Sequence, residues 1–287
     1  MKTEMSLTFY GVRGSHPVPG RGTQRYGGNT AALLFEIAGQ AVLFDAGTGI
    51  IQAGRYLNQR FGAGGTIHLF LTHLHIDHIQ GLPFFKPFYN PRLEIVIHCQ
   101  EVSGGSLRQA IEALFLPPYS PITLKGIKAG LRFVPLDMRP GKNSINLGST
   151  TVVSYIKHDS HPRLGVIIYQ LAHDGRRVVY STDVESPEGF DGSIRPFIRG
   201  ADILIHDCQY LDADYANPGN PRQGYGHSTV SMAVRNAGLC RVKKLYLFHY
   251  DPEYSDGQLE EMLRQARRKF KNTFLSQEQK KINITRR

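Results

Sequence analysis

The order of apolar and polar positions predicts many short strands and few helices. Apolar or alternating runs of four to eight residues, bounded by Gly, Pro and Asn turns, are typical of strands. The predicted strands span residues 7–11, 31–37, 41–44, 67–72, 93–98, 151–155, 165–171, 177–181, 203–205 and 244–248. Helices are predicted at 50–59, 106–115, 229–237 and 258–270. The last is the clearest, because Ser255 and Gln258 have the spacing of a capping box.

Strands and helices are mixed along the chain, without an internal repeat or a low-complexity linker. This pattern predicts one α/β or α+β domain with two packed sheet layers. We expect the domain to cover residues 1–272 and to be followed by a basic C-terminal tail at 273–287. Residues 116–146 are rich in Pro, Gly and Lys and are expected to be irregular, and 210–226 is a candidate flap.

The formal net charge of +10 is concentrated near the C-terminus. Residues 264–287 contain nine Lys or Arg and one Glu, whereas the other 263 residues contain 25 basic and 23 acidic side chains. A surface that binds a polyanion should be basic next to the site. The tail, and not the body, is therefore the candidate contact for nucleic acid.

Composition favours a globular cytoplasmic protein. No apolar run approaches the roughly 18–20 residues of a membrane span, and the first ten residues do not read as a signal peptide. The three cysteines, Cys99, Cys208 and Cys240, form no CxxC pair, which is typical of reduced thiols. We expect no membrane partner.

The strongest chemical feature is the run at 72–78, where four metal-binding side chains fall within six residues. These are His73, His75, Asp77 and His78. They follow the apolar run 67–71, and a loop that leaves a buried strand is where a rigid scaffold presents a site. Imidazole and carboxylate ligands together suit Zn²⁺ first, with Mn²⁺ or Fe²⁺ as alternatives.

This HxHxDH run, together with Phe-Asp-Ala-Gly at 44–47, resembles the metallo-β-lactamase fold of metal-dependent hydrolases. The resemblance implies a four-layer αββα sandwich with two divalent metal ions at one edge of the sheets. It also implies three later ligands, namely a His, an acidic residue at a strand end and a final His. The candidates are His161, Asp183 and His249, with His158 as the rival of His161.

The resemblance further implies how two ions would divide these ligands. The first ion would bind His73, His75 and His161. The second ion would bind Asp77, His78 and His249. Asp183 and a hydroxide would bridge the two ions, and the hydroxide would act as the nucleophile. Asp77 is therefore expected to be catalytic as well as a ligand.

The residues after the cluster, 79–85, resemble the phosphodiesterase and tRNase Z branch of this fold. Carried over from that branch, His227 would be a general acid and Asp207 its orienting partner, although the tRNase Z pattern has Glu where this chain has Asp207. A leaving oxygen needs a proton, and a His held by a carboxylate can donate one. The alternative for His227 is a structural role at the start of a helix.

Two N-terminal segments, 11–19 and 26–30, resemble cyclic-nucleotide or phosphoribosyl cyclic phosphodiesterase-like hydrolases. Arg13, His16 and Asn29 are the candidates for contact with substrate phosphate or for support of the metal ligands. Ordinary turn chemistry is the alternative for these segments.

Taken together, the sequence predicts a dinuclear-metal phosphodiesterase acting on a small, cyclic or nucleotide, phosphodiester. The alternatives are an RNA-processing endonuclease of the tRNase Z type that docks RNA on the basic tail, a lactone or ester hydrolase, and a non-catalytic metal-binding sensor. A homodimer is a further expectation from the resemblance.

Overall fold

The computed structural model describes residues 5–285 apart from 103, 119, 140–142, 163 and 164. Within these residues there are fourteen strands: β1 (Met5–Gly11), β2 (Ala32–Ile37), β3 (Gln40–Phe44), β4 (Gly65–Phe70), β5 (Leu93–Cys99), β6 (Gly130–Pro135), β7 (Asn143–Asn146), β8 (Thr151–His158), β9 (Val166–His173), β10 (Arg176–Ser181), β11 (Ile203–Asp207), β12 (Leu245–Phe248), β13 (Thr273–Leu275) and β14 (Lys281–Ile284).

Seven α-helices lie between them: α1 (Ile50–Arg60), α2 (Ile76–Ile79), α3 (Leu107–Ala113), α4 (Ile194–Ile198), α5 (Asp212–Tyr215), α6 (Val230–Leu239) and α7 (Asp256–Lys269). Short 3₁₀ turns occur at Arg21–Thr23, Leu82–Phe84, Lys86–Tyr89 and Leu124–Gly126. The capping box predicted before α7 is confirmed, because Ser255 and Gln258 make both of its reciprocal bonds. In the described part of the chain, no helix is long and apolar enough to cross a membrane.

The strands form two seven-stranded sheets. Their orders are β14-β1-β2-β3-β4-β5-β6 and β13-β12-β11-β10-β9-β8-β7. β3 to β6 run parallel in the first sheet, and β10 to β13 run parallel in the second. Parallel strands end at the same edge of their sheet, so loops after β3, β4, β10, β11 and β12 can meet. We call this edge the metal end.

Successive side chains of a strand point to opposite faces of the sheet, so each sheet packs on the other sheet with one face and on helices with the other. Phe44 packs between the sheets against Phe70 and Tyr180, whereas the neighbouring Leu43 faces outward into a second cluster with Leu57 of α1. On the other sheet, α6 and α7 cover the outer face. The result is the expected αββα sandwich of the α/β class.

The C-terminal segment differs from the sequence expectation of a tail at 273–287. β13 adds to the second sheet beside β12, and β14 adds to the first sheet beside β1. Each of these strands has only three or four residues, and the surrounding Lys and Gln residues make the segment look polar in the sequence. Likewise, the supposedly irregular 116–146 contains β6 and β7, in its described part.

The exposed basic residues around α7 lie where β12 and β13 begin. We call this surface the basic end; it comprises Arg241, Lys243, Lys244, Lys269 and Lys271. Lys244 directly precedes β12 and His249 directly follows it. At a rise of about 3.3 Å per residue, they lie roughly 16 Å apart along the strand. The basic end is therefore remote from the metal end.

Candidate metal centre

Three residues that follow strands at the metal end adopt left-handed backbone conformations. Asp45, Asp183 and His249 have φ values of 59°, 55° and 62°. Such conformations cost of the order of 1–3 kcal/mol for residues other than glycine, and they persist where the surrounding structure over-determines them. Each of the three side chains is buried at the metal end.

The predicted metal ligands converge in two groups, within each of which the donor atoms lie within 4.8 Å of one another. The first group is His73, His75 and His161. The second group is Asp77, His78, Asp183 and His249. His158, the rival of His161, lies elsewhere, against the ring of Phe190.

The Asp183 carboxylate stands between the two groups. Its Oδ1 is 3.8 Å from His73 Nε2 and 4.0 Å from His161 Nε2. Its Oδ2 is 3.2 Å from His78 Nε2 and 3.4 Å from His249 Nε2. One oxygen therefore faces each group, as a bridging ligand requires.

The arrangement of the imidazoles fits bound cations. His73 Nε2 is buried and has no hydrogen-bond partner in the described part of the chain. Ring nitrogens of His161 and His75 lie 3.0 Å apart, and those of His78 and His249 lie 3.2 Å apart. Converging nitrogen lone pairs, with carboxylates between them, form a donor set that suits divalent ions. Burial lowers the pKa of His73 well below its usual range, which keeps the ring in the neutral form that binds metal.

Outer hydrogen bonds select which nitrogen of each ring faces inward. His78 Nδ1 donates to Asp45 Oδ2 at 2.8 Å, and His249 Nδ1 donates to Gln209 Oε1 at 3.1 Å. In both rings this leaves Nε2 for an ion. Asp45 also accepts from Thr72 and from the hydroxyl of Tyr180. Burial raises the pKa of Tyr180 well above its usual range, so it remains a donor.

The N-terminal glycine-rich segment contributes through its backbone. The amide of Ser15 donates to Asp77 Oδ2 at 2.8 Å. Gly14 packs so closely on the imidazole of His249 that an added Cβ would lie 2.5 Å from the ring. Sequence analysis missed Ser15 and Gln209, because their contacts join segments separated by more than 60 and by 40 residues.

His227 and Asp207 form a hydrogen-bonded pair beside the ligands. His227 Nδ1 donates to Asp207 Oδ2 at 2.9 Å and lies 3.9 Å from Asp183 Oδ1. Asp207 also accepts from the amides of Asp183 and Ser228, which holds its carboxylate in place. Burial alone would lower the pKa of His227, but the Asp207 carboxylate outweighs burial and raises the pKa to about 9. The Asp207 carboxylate therefore favours the protonated form of this ring.

A cavity of about 500 Å³ opens beside this pair. Its walls include Ser15, His16, Pro162, Gln209, Tyr210, Arg222, Gly224, Tyr225, His227, Asp251, Pro252 and Glu253. His16 thus lines the cavity, and its contact with substrate stays a prediction. The candidate flap 210–226 supplies several of the walls.

The structure does not bring Arg13 and Asn29 to this cavity. Arg13 is fully buried, and its guanidinium donates to the carbonyls of Asp251 and Tyr254. Asn29 donates through its backbone and its side chain to Glu278. Both residues tie the N-terminal segment to later parts of the chain. The expectation that they bind substrate therefore does not hold, because Arg13 is fully buried away from the cavity, with only Nη2 unpartnered among the described residues, and the Asn29 side chain already donates to Glu278.

A fold of two sheets with clustered His and Asp ligands at one edge defines a metal-dependent hydrolase. The chain belongs to the β-lactamase superfamily domain family, whose model matches residues 40–250. The match includes all seven predicted ligands and the His227–Asp207 pair. Members of this fold bind divalent ions, typically two, and the residues present here fit that number.

Known proteins resemble the chain over its full length. Ribonuclease Z from Picrophilus torridus is 25% identical over 322 aligned positions, covering 100% of this chain and 98% of the relative. The metallo-β-lactamase fold protein YhfI from Bacillus subtilis superimposes with a TM-score of 0.70 at 17% identity, covering 99% and 100% of the two chains. A diphosphatase of the PhnP family superimposes with a TM-score of 0.68 at 19% identity, covering 98% of each chain.

Proposed function

We propose that the protein is a dinuclear zinc phosphodiesterase that hydrolyses a small phosphodiester, cyclic or nucleotide. The observation that carries the proposal is the His227–Asp207 pair, which stands between the metal ligands and the cavity. A phosphodiester needs a proton on its leaving oxygen, and a charged imidazole in this position can supply it.

The protein's own residues define the course of the reaction. Two divalent ions held by the ligand groups would activate water and neutralise charge on the phosphoryl group. Asp207 holds the Nδ1 side of His227, so Nε2–H is left to face the substrate. As the phosphorus–oxygen bond breaks, His227 gives this proton to the leaving oxygen. The cavity receives the leaving group.

Hydrolysis of bis(p-nitrophenyl) phosphate by zinc-loaded protein tests the proposal, because this activated diester makes few demands on the pocket. We expect turnover in the wild type and loss of turnover in Asp183→Ala. Thermal melting of both proteins serves as the folding control. Full metal content without turnover would contradict the proposal and would direct attention to lactones or to metal-dependent binding.

RNA processing is the second candidate, and the ribonuclease Z relatives favour it. Two features of this chain favour a small substrate instead. The basic end lies away from the metal end, and the cavity walls include the acidic side chains Asp251 and Glu253. Cleavage of a precursor tRNA at a rate above that of small diesters, with binding that weakens steeply with salt, would favour the RNA substrate.

A further inference from the structure

The cavity beside His227 has room for much more than a phosphoryl group. Pockets for small ligands range from about 300 to 1,000 Å³, and this cavity, at about 500 Å³, falls within that range. Since His227 is one of its walls and protonates the leaving oxygen in the proposed reaction, the leaving group must extend from His227 into this space. The other walls therefore select the leaving group.

Arg222 is a wall residue whose guanidinium is not fully paired. Its Nε is buried and has no hydrogen-bond partner among the described residues. No carboxylate of the described residues lies within 4 Å of the guanidinium, although Asp251 and Glu253 line the same cavity. The guanidinium instead lies 5.3 Å from the ring centroid of Tyr210 and hydrogen-bonds to the hydroxyl of that residue, so Nε is the donor left without a partner. A half-buried cation with a free donor is stabilised when an anion completes its bonding.

The loop that carries Arg222 is held in place before any ligand binds. Glu185 accepts hydrogen bonds from the hydroxyl of Tyr215 and from the amides of Gly224 and Gly226. The amide of Arg222 itself donates to the carbonyl of Tyr215. These bonds fix the backbone that carries Arg222 before a ligand binds, which reduces the entropy lost on binding.

The acidic wall residues limit how much negative charge the cavity accepts. Asp251 is buried, and its Oδ1 accepts a hydrogen bond from the amide of Glu253 at 2.8 Å. This carboxylate therefore stabilises the local turn of the chain at 251–253. Two carboxylates near a single free cation disfavour a long polyanion. One compact anion can instead meet the unpartnered Nε of Arg222, with the half-exposed ring of Tyr225 beside the attached organic group.

We propose that Arg222 binds a second, terminal phosphate on the leaving group, so that preferred substrates are phosphodiesters whose leaving group carries a phosphomonoester. This inference rests on the proposed function. In the reaction, the oxygen of water bonds to the diester phosphorus, the bond from phosphorus to the leaving oxygen breaks, and His227 supplies the proton. The second phosphate is bound by Arg222 and is not altered.

The test compares three dinucleotides: thymidylyl-thymidine without a terminal phosphate, with a 5′-terminal phosphate, and with a 3′-terminal phosphate. Products of the zinc-loaded protein are separated by chromatography, and bis(p-nitrophenyl) phosphate is measured in parallel. We expect one of the phosphorylated dinucleotides to have at least a tenfold higher kcat/KM than the unphosphorylated one. Arg222→Gln should reduce this ratio to near one, and Arg222→Lys should retain part of it because a point charge lacks the planar fork.

Arg132→Gln is the matched control, because Arg132 is an exposed arginine on β6 that pairs with Glu94 far from the cavity. It should keep the wild-type ratio. A wild-type protein that hydrolyses bis(p-nitrophenyl) phosphate but does not distinguish the dinucleotides would overturn the role of Arg222 and leave the proposed function standing. So would an unchanged ratio in folded Arg222→Gln or, if that variant does not fold, in Arg222→Lys. Absence of diester turnover in fully metallated wild type would overturn both.

Discussion

The metal end and the basic end of the sandwich carry their charges in opposite ways. At the metal end, Asp45, Asp183 and Asp207 are buried, and each carboxylate has several hydrogen-bond or imidazole partners. At the basic end the five cations are exposed, and among the described residues only Lys243 has an ion pair within 4 Å, to Asp202.

The difference shows why net charge is a poor guide to function in this chain. A charge–charge interaction is several times stronger in a protein interior than in water, whereas exposed pairs contribute roughly 0–1 kcal/mol. The excess of Lys and Arg dominates the sequence total yet lies where electrostatics are weak. The predicted metal ligands are few, and all of them except His75 are buried.

The largest expected effect comes from removing metal from the metal end. Chelation should abolish diester hydrolysis and lower the unfolding free energy, because ions that bind only the folded state stabilise it. At free metal of about 1,000 times the dissociation constant, the loss is about 4 kcal/mol. Thermal melting with and without chelator, followed by zinc re-addition, measures it. An unchanged melting temperature in protein shown to be metal-free would contradict the coupling of metal to folding.

The next effect separates the proton donor from the metal ligands. His227→Gln should lower kcat by roughly 10²–10⁴-fold on diesters with alkoxide leaving groups, because these leave only with a proton. The loss should be much smaller on bis(p-nitrophenyl) phosphate, since p-nitrophenolate is stable as an anion. Comparing the two substrate types in one variant gives the answer. Equal losses on both would assign His227 to metal binding or folding instead.

A smaller effect is expected at Asp45, whose carboxylate hydrogen-bonds to the predicted ligand His78 and is not itself a predicted ligand. Asp45→Asn should weaken metal affinity by about 10- to 100-fold, because Asp45 sets the orientation of His78. Asp202→Asn is the matched change at the opposite end, where Asp202 pairs with Arg176 and Lys243. Competition with a chelating dye should show weakened zinc binding in the first variant only. Equal affinities would show that burial alone, without Asp45, orients His78.

How far the sequence predicts this site depends on how local each contact is. His73 to His78 lie in one short run, so the sequence locates them directly. Asp183 and His249 were predicted because each follows an apolar strand and the family resemblance requires such ligands. Glu185 and Arg222 could not be predicted in this way, since their roles depend on a loop packing against a distant segment.

The errors have the same origin. The expectation that Arg13 and Asn29 bind phosphate assumed exposure, which a sequence does not reveal, and both are tied to residues more than 200 positions away. The tail at 273–287 was wrong because two strands of three and four residues are too short for periodicity to identify.

The smallest expected effect comes from neutralising the four lysines of the basic end. Replacing Lys243, Lys244, Lys269 and Lys271 together by Gln should change kcat/KM for small diesters less than twofold, because the four charges are exposed. Lys244 stands roughly 16 Å from His249 along β12, beyond the Debye length of about 8 Å at physiological salt. Deleting the segment would be a poorer test, because it would remove β13 and β14 from both sheets. The same variant should also leave the salt dependence of precursor tRNA binding unchanged if RNA is not the substrate. A slope of log affinity against log salt that falls by several units would instead show that the basic end docks a polyanion, and the two ends would then act on one long substrate.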